Sequence, residues 1–542
     1  MSPGFLLDRA QAPSGKWNMD VIPYDRREAR RTYEVLQSVR RKGASLWLGD
    51  GRLRYAAPKG ALSSHDLQQL TRSRERITAL LDRAAGGQAP SPRMQRRTRA
   101  EIVPLAFSQL AHWHLYELGE KRGPGMLSCQ IRLRGRLNAD RLQQSITEIV
   151  RRHDALRTRI VVCNGWPEQV IAPSGDCNMA IHDLTSRSAE HREMEVSRLI
   201  ESFTNEPFNV TTDPLFWARL IKLSADEHVL ILALDHIVSD GFSTNILLRD
   251  VLLAYDQAGR GDDRSLPPIP VQFSDYALWQ NETQPAWIEE HGSYWSEHLA
   301  GCRRVRFPTY GAPAAATKTG WGMVPIVLGQ DVTLKLREWC RLRKTTLVMS
   351  VFTAYIALVL RWCEVSDAVI LYQSDGRVSE SVREAIGYFA TPLYLRMRLL
   401  EGDNFLDLMD RATEEYCRAF EHADFSWMES QEPRPEFTRN GCFNWLPRSR
   451  GDEHDRRLGN ADDSITWSAM SDEQQVIENI DRDTEPLVGL LEMENEIHGW
   501  VMYALDRFSR ETTERFVRNL SLFIKVLLKQ PDMKVRHVPL CM

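Results

Sequence analysis

The chain has 542 residues, 43% hydrophobic and 26% charged, with a net charge of −4. That length suggests two to four compact units, and the composition is ordinary for a soluble globular protein. The charge implies no general affinity for nucleic acid. Nine cysteines are scattered without a C-x-x-C pair and fourteen histidines are dispersed. This pattern reads as reduced thiols in a cytoplasmic protein, and neither a disulfide framework nor a metal site is expected. Residues 1–9 lack the apolar core of a signal peptide.

In chain order, residues 1–27 commit to no element. Residues 28–41 predict a helix with Tyr33, Leu36 and Val39 on one face. Residues 46–55 read as two short strands around Asp50-Gly51, a strong hairpin signal. A second helix is predicted over 63–84, with Ser63 as N-cap and Leu67, Leu70, Ile77, Leu80 and Leu81 as its apolar face. Helix, hairpin and helix form a minimal N-terminal domain, residues 1–85, followed by a Gly/Pro-marked linker, 86–99.

Strands and helices then alternate as in an α/β fold. Strands are expected at 127–133, 158–162, 169–171, 216–223 and 228–234, and helices at 139–152, 187–204 and 243–258. The second half repeats this texture. It has strands at 324–328, 368–372, 394–400, 487–494 and 499–505, and helices at 332–343, 346–361, 405–421 and 510–529. The apolar run 347–360 is shorter than the roughly 20 residues that span a bilayer, so a buried core helix is expected and no membrane partner.

The chemistry-bearing stretch is Asp235-His236-Ile237-Val238-Ser239-Asp240-Gly241, directly after the run Val229 to Leu234. A strand ending in His places an imidazole at a sheet's rim, the glycine permits close approach of a ligand to the backbone, and His is the commonest general base. A structural core histidine is the plainer alternative. The stretch resembles the H-H-x-x-x-D-G signature of nonribosomal peptide synthetase condensation domains, of the chloramphenicol-acetyltransferase-like superfamily, with Asp235 in place of the first His. Further blocks resemble the family in its order: Ser108 to Trp113, Arg151 to Thr158, Phe273 to Trp279, Ile386 to Arg396 and His422 to Trp427. Thr391-Pro392 stands where the family carries Asn-Thr.

The resemblance implies two α/β lobes, 100–275 and 276–542, in a V-shaped pseudo-dimer around a tunnel, with His236 near its middle. It implies transfer of an acyl group from a carrier-protein thioester to a nucleophile. His236 would accept the nucleophile's proton or hold the nucleophile. Gly241 would offer a backbone N–H to the carbonyl oxygen. Asp240 would be structural and paired with Arg377, Arg157 being the alternative partner. Asp235 would orient His236, raise its pKa, or point away. No bound cofactor is implied; the acyl group rides on the phosphopantetheine of a partner carrier protein.

The N-terminal unit resembles the β-hairpin docking domains of assembly-line synthetases. Arg52, Arg54 and Lys59 would take the acidic C-terminal tail of an upstream acyl or peptidyl carrier protein, a solvated basic face being the alternative. The family pattern ends near residue 540 without an adenylation or carrier domain. The expectation is therefore a free-standing, monomeric enzyme that condenses one carrier-bound donor with a small soluble alcohol or amine, ester formation being favoured, in polyketide or peptide chain release. Amide formation between two carrier-bound partners and a non-catalytic recruitment module are the competing readings. Epimerisation is less well supported.

Overall fold

The computed structural model describes residues 45–49, 52–56, 62–72, 74, 94 and 96, and most of 102–541. Within that span, 118–124, 262–265, 310–319, 424–434, 447–457, 459–464 and 470–483, with some single positions, are not described. The expected helix at 28–41, Lys59, and most of the His422 to Trp427 block lie outside the described residues.

Strands β1 (Ser45–Gly49) and β2 (Arg52–Ala56) pair antiparallel, with Leu48 opposite Leu53 and Gly49 opposite Arg52. This pairing is the one expected from the hairpin signal in the sequence. Helix α1 (Ser64–Arg72) begins at a capping box: Ser63 N donates to Asp66 Oδ2 at 2.7 Å and Asp66 N to Ser63 Oγ at 3.3 Å.

The first half continues with β3 (Ile102–Pro104), α2 (Phe107–Glu117), β4 (Met126–Gly135), α3 (Ala139–Arg152), β5 (Thr158–Cys163), β6 (Trp166–Ile171), β7 (Ala180–Asp183), α4 (Ala189–Thr204), β8 (Phe216–Lys222), β9 (Glu227–Asp235) and α5 (Gly241–Gly259). Helix α6 (Phe273–His298) leads into the second half. There follow β10 (Trp321–Leu328), α7 (Gln330–Arg343), α8 (Leu347–Trp362), β11 (Asp367–Ser374), β12 (Thr391–Arg398), α9 (Phe405–Glu421), β13 (Cys442–Leu446), β14 (Ile465–Ala469), β15 (Leu487–Glu492), β16 (Ile497–Ala504) and α10 (Arg510–Lys529). A six-stranded sheet runs β10-β16-β15-β13-β11-β12, and a five-stranded sheet β14-β4-β9-β8-β7. A smaller sheet runs β3-β6-β5.

The apolar run of β9 is continuous because the strand is covered on both faces. Leu230, Leu232 and Leu234 pack with Ile146 of α3 and Leu247 and Val251 of α5. Val229 and Ile231 point the other way, onto Val196 and Phe203 of α4. A period of two therefore splits one strand between two cores. Burial of each such side chain is worth about 1.5–3 kcal/mol. Helix α8 is the matching element of the second half. Thr346 caps it by accepting from Met349 N, and residues Val351 to Leu360 are buried. Among the described residues no single helix is long and apolar enough to cross a membrane.

The halves are not separate blocks. Helix α6, started by a Gln272/Asp275 capping box, runs across the 275/276 position where the sequence pattern divides the lobes. Strand β14, from the second half of the chain, pairs antiparallel with β4, Ile465 opposite Gly135 and Ala469 opposite Ile131. The three-residue β3, the four-residue β7 and the five-residue strands β13 and β14 are not apparent from periodicity, being too short for the pattern to declare itself.

Phe273, at the start of α6, lies against Gly387 of the second half, where a Cβ would come within 2.1 Å of the ring. Gly387→Ala therefore forces this contact apart. A loss of about 1–3 kcal/mol, the usual cost of overpacking, is expected in urea denaturation. An unchanged midpoint would show that the ring moves freely.

Candidate functional site

The site is built where β9 ends. Asp235 Oδ1 accepts from Ile237 N at 2.8 Å, and Ser239 Oγ donates to the Asp235 carbonyl at 2.8 Å. These bonds shape the single 3₁₀ turn, His236–Val238, that carries the histidine. His236 N donates to Gly125 O at 2.6 Å, fixing the turn to the start of β4. From α2, Gln109 donates to the Ile237 carbonyl at 2.9 Å and to Gln169 Oε1 at 3.1 Å.

His236 is only 6% exposed. Its ring lies 4.4 Å from that of Tyr388 and 5.7 Å from that of His112, centroid to centroid. Nδ1 is buried without a hydrogen-bond partner, whereas Nε2 is neither bonded nor sealed off. Burial pushes the imidazole below its ordinary pKa; its own carbonyl, Asp240 and the Ser239 carbonyl oppose this without cancelling it. The ring is therefore neutral at neutral pH.

Asp240 joins the halves. It caps α5 by accepting from Ser243 N and Ser243 Oγ, both at 2.8 Å. Arg377 donates to it through Nη1 at 2.8 Å and Nη2 at 3.2 Å, and the Phe389 and Ala390 amides at 3.0 and 3.2 Å. Burial would raise this carboxyl, but the charge and hydrogen bonds of Arg377, with the Ser243 donors, hold it below the usual carboxylate range. The Arg377 guanidinium also lies between the Phe242 and Phe389 rings, 4.5 and 4.4 Å from their centroids. Arg157, the alternative partner, instead pairs with Asp154.

Gly241 supplies the first amide of α5; a Cβ there would meet Leu446 of β13 at 3.0 Å. Thr391 donates to the Phe389 carbonyl at 2.9 Å, and Pro392 of β12 sits opposite Gln373 of β11. Arg52 and Arg54 lie two apart on β2. Tyr388 and His112 stand in the sequence only as members of longer blocks, with nothing to mark them as site residues. No spacing rule places a helix residue against a histidine 124 positions later.

The profile of the condensation domain matches residues 99–541, and that of the TubC N-terminal docking domain residues 33–82. The chain belongs to the condensation-domain family. Condensation domains transfer acyl or peptidyl groups between carrier-bound substrates and need no cofactor of their own, and the acyltransferase class is consistent with this match.

One of the subunits of the linear gramicidin synthase of Brevibacillus parabrevis is 31% identical over 341 residues, 62% of this chain but 7% of that protein. The chain thus spans under a tenth of that relative's length. The X-domain from teicoplanin biosynthesis superposes with a TM-score of 0.69 at 24% identity, covering 83% of this chain and 100% of that one. The EpoB cyclization-docking bidomain from Sorangium cellulosum gives 0.64 at 19%, covering 92% and 99%. At these identities the structures show the fold, a condensation-type α/β architecture.

Arg377→Ala strands a buried carboxylate and should cost about 3–5 kcal/mol in chemical denaturation. A wild-type midpoint would show that the pair does not hold the halves. Because Asp240 is depressed in the folded state, its contribution is present above the unfolded carboxyl value near 3.9 and is lost as pH falls through the lower folded value. The Arg377→Ala protein should lose part of that acid dependence.

Proposed function

We propose that the protein transfers an acyl chain from a carrier-protein thioester to a small soluble alcohol or amine, with an ester favoured, releasing a polyketide or peptide product. The observation that carries this reading is the state of His236, which is buried and neutral, with Nδ1 turned inward and Nε2 left open. A neutral imidazole so placed is a base. The acceptor's O–H or N–H hydrogen-bonds to Nε2. As its heteroatom attacks the thioester carbon, the proton passes to His236. The oxyanion forms beside the amide of Gly241, at the positive end of α5. Collapse breaks the C–S bond, and His236 returns the proton to the departing phosphopantetheine thiolate. Donor and acceptor would meet at His236 through a tunnel between the lobes.

In this the protein resembles the free-standing condensation enzyme that releases the polyketide chain in enacyloxin biosynthesis. The chain would then divide into a docking unit, 1–85, a linker, 86–99, and two lobes, 100–275 and 276–542. Nine unpaired cysteines favour a cytoplasmic setting. The hairpin β1–β2 would receive the acidic C-terminal tail of the donor carrier's protein as an added strand, with Arg52, Arg54 and Lys59 pairing its charges. The docking-domain match supports this part.

Two other readings have a specific observation behind them. The gramicidin-synthase likeness favours amide formation between two carrier-bound partners. The likeness to the teicoplanin X-domain, seen in complex with OxyB, favours a recruitment module. Intact-mass measurement of an acylated carrier protein, incubated with the enzyme and a panel of small alcohols and amines, separates the three. Acyl loss with a small acceptor supports chain release, loss only with a loaded second carrier supports amide formation, and no loss supports recruitment.

His236→Ala should fold normally and lose on the order of 10²–10⁴ in turnover. Near wild-type turnover would remove His236 from the chemistry. Since the His236 pKa is lowered, kcat/KM should stay level from pH 8 to below 6.5, the ordinary histidine value, and then fall.

Reversing Arg52 and Arg54 to Glu should raise KM for the acylated carrier by about tenfold or more while sparing an acyl-pantetheine thioester, because docking acts through effective concentration. Binding of an isolated acidic tail peptide should weaken with salt. Unchanged carrier kinetics would leave the basic strand as a solvated face.

A further inference from the structure

The signature of the family pairs two histidines at the strand end; this chain keeps the second and has Asp235 at the first. The structure brings another imidazole to the same place. His112, on α2 and 5% exposed, points Nε2 at Asp235 Oδ1 across 3.8 Å. Its ring stands 5.7 Å from that of His236 and 6.0 Å from that of Tyr388. We propose that His112 is a positioning residue for His236, acting through Asp235, so that α2 supplies the imidazole the signature would place on β9. This rests on the reading of His236 as the base.

Two features carry the coupling. The oxygen that His112 faces, Asp235 Oδ1, is the one that caps the His236 turn at Ile237 N. The same helix is tied to that turn by Gln109 on the Ile237 carbonyl, so α2 and the turn move together. At 3.8 Å the contact is longer than a hydrogen bond, and the coupling is electrostatic. Burial, with a smaller contribution from His236, pushes His112 down to about 3. It is therefore a neutral dipole whose Nε2–H can face the carboxylate, and it partly offsets the pull of that charge on a proton at His236. The groups around His236 are Asp235 on its own strand, His112 on α2, Tyr388 ahead of β12, and Asp240 at the start of α5. Asp240 is paired with Arg377 and still favours the proton on His236, a contribution that the Asp235 and His112 variants leave in place.

The test is the pH dependence of kcat/KM, followed by thiol release from octanoyl-pantetheine with whichever acceptor of the panel turns over. Asp235→Asn removes a negative charge, so His236 holds its proton less tightly and the acid limb moves to lower pH. His112→Ala leaves that charge without its dipole, and the limb moves to higher pH. Each shift should be about one pH unit, the lower end of what a nearby charge imposes. His112→Asn keeps an N–H donor and should return the limb towards wild type. A structural role alone would lower activity or melting temperature without moving the limb in opposite directions. Limbs that stay put, or move the same way, overturn the proposal. If His112→Ala does not fold, His112→Leu takes its place, filling the space without the dipole: a limb moved to higher pH supports the proposal and an unmoved limb overturns it. An active His236→Ala protein would sink the reading beneath; an inactive one with unmoved limbs in the pair variants would sink only this inference.

Discussion

Everything at the centre of this molecule hangs on one carboxylate. Asp240 accepts from two groups of Ser243, two nitrogens of Arg377 and the amides of Phe389 and Ala390. The Ser243 donors come from its own helix start, and all the others arrive from the far half of the chain. An ionised carboxyl deprived of water is costly unless every lone pair finds a donor, and here the donors can only be assembled by bringing residues 240–243 and 377–390 together. The requirement is local, but meeting it sets how two distant parts of the chain approach.

That approach also places the ring of Tyr388 on His236. The segment that satisfies Asp240 with its amides is the segment that walls one side of the histidine, so the joint and that wall are one construction. Gly387 lets the segment run close to Phe273, and Ser243 binds both the amide and the carbonyl of Gly387. The chemistry proposed for His236 does not need a strong base. It needs a neutral ring with one nitrogen open, held still by neighbours that do not themselves compete for the proton.

Much of this is legible in the sequence, and for definable reasons. Helices 139–152, 405–421 and 510–529 have the bounds their pattern predicts because their amphipathic period and their flanking residues agree: Asn138, Asn404 and Ser509 all cap. The apolar run of β9 and its terminal histidine announce themselves, and so does the Asp240–Arg377 pair through the family's pattern. Short strands such as β7 and β14 stay hidden; β7 is largely exposed and so has no apolar alternation to show. His112 stays hidden for another reason. Helix α2 carries two histidines, His112 and His114, among mixed apolar and polar neighbours, so nothing in its pattern marks which of them meets the site. Only the packing of α2 onto the His236 turn, through Gln109, gives His112 a meaning.

The loan of β14 to the sheet of the first half bears on how the chain comes into being. Strand β4 leaves its outer edge open until residues 465–469 pair with residues 131–135, about 330 positions further on. At 5–20 residues per second a ribosome takes roughly 15–65 s to make that stretch. For all that time the nascent first half exposes the bare edge of residues 131–135, with the hydrogen-bonding groups that β14 will meet still open. A polypeptide truncated before residue 465 would carry that edge permanently. The first half is thus completed by the second in the order of synthesis, and the late segment brings Ile465 and Trp467 into its core as well as a strand to its sheet.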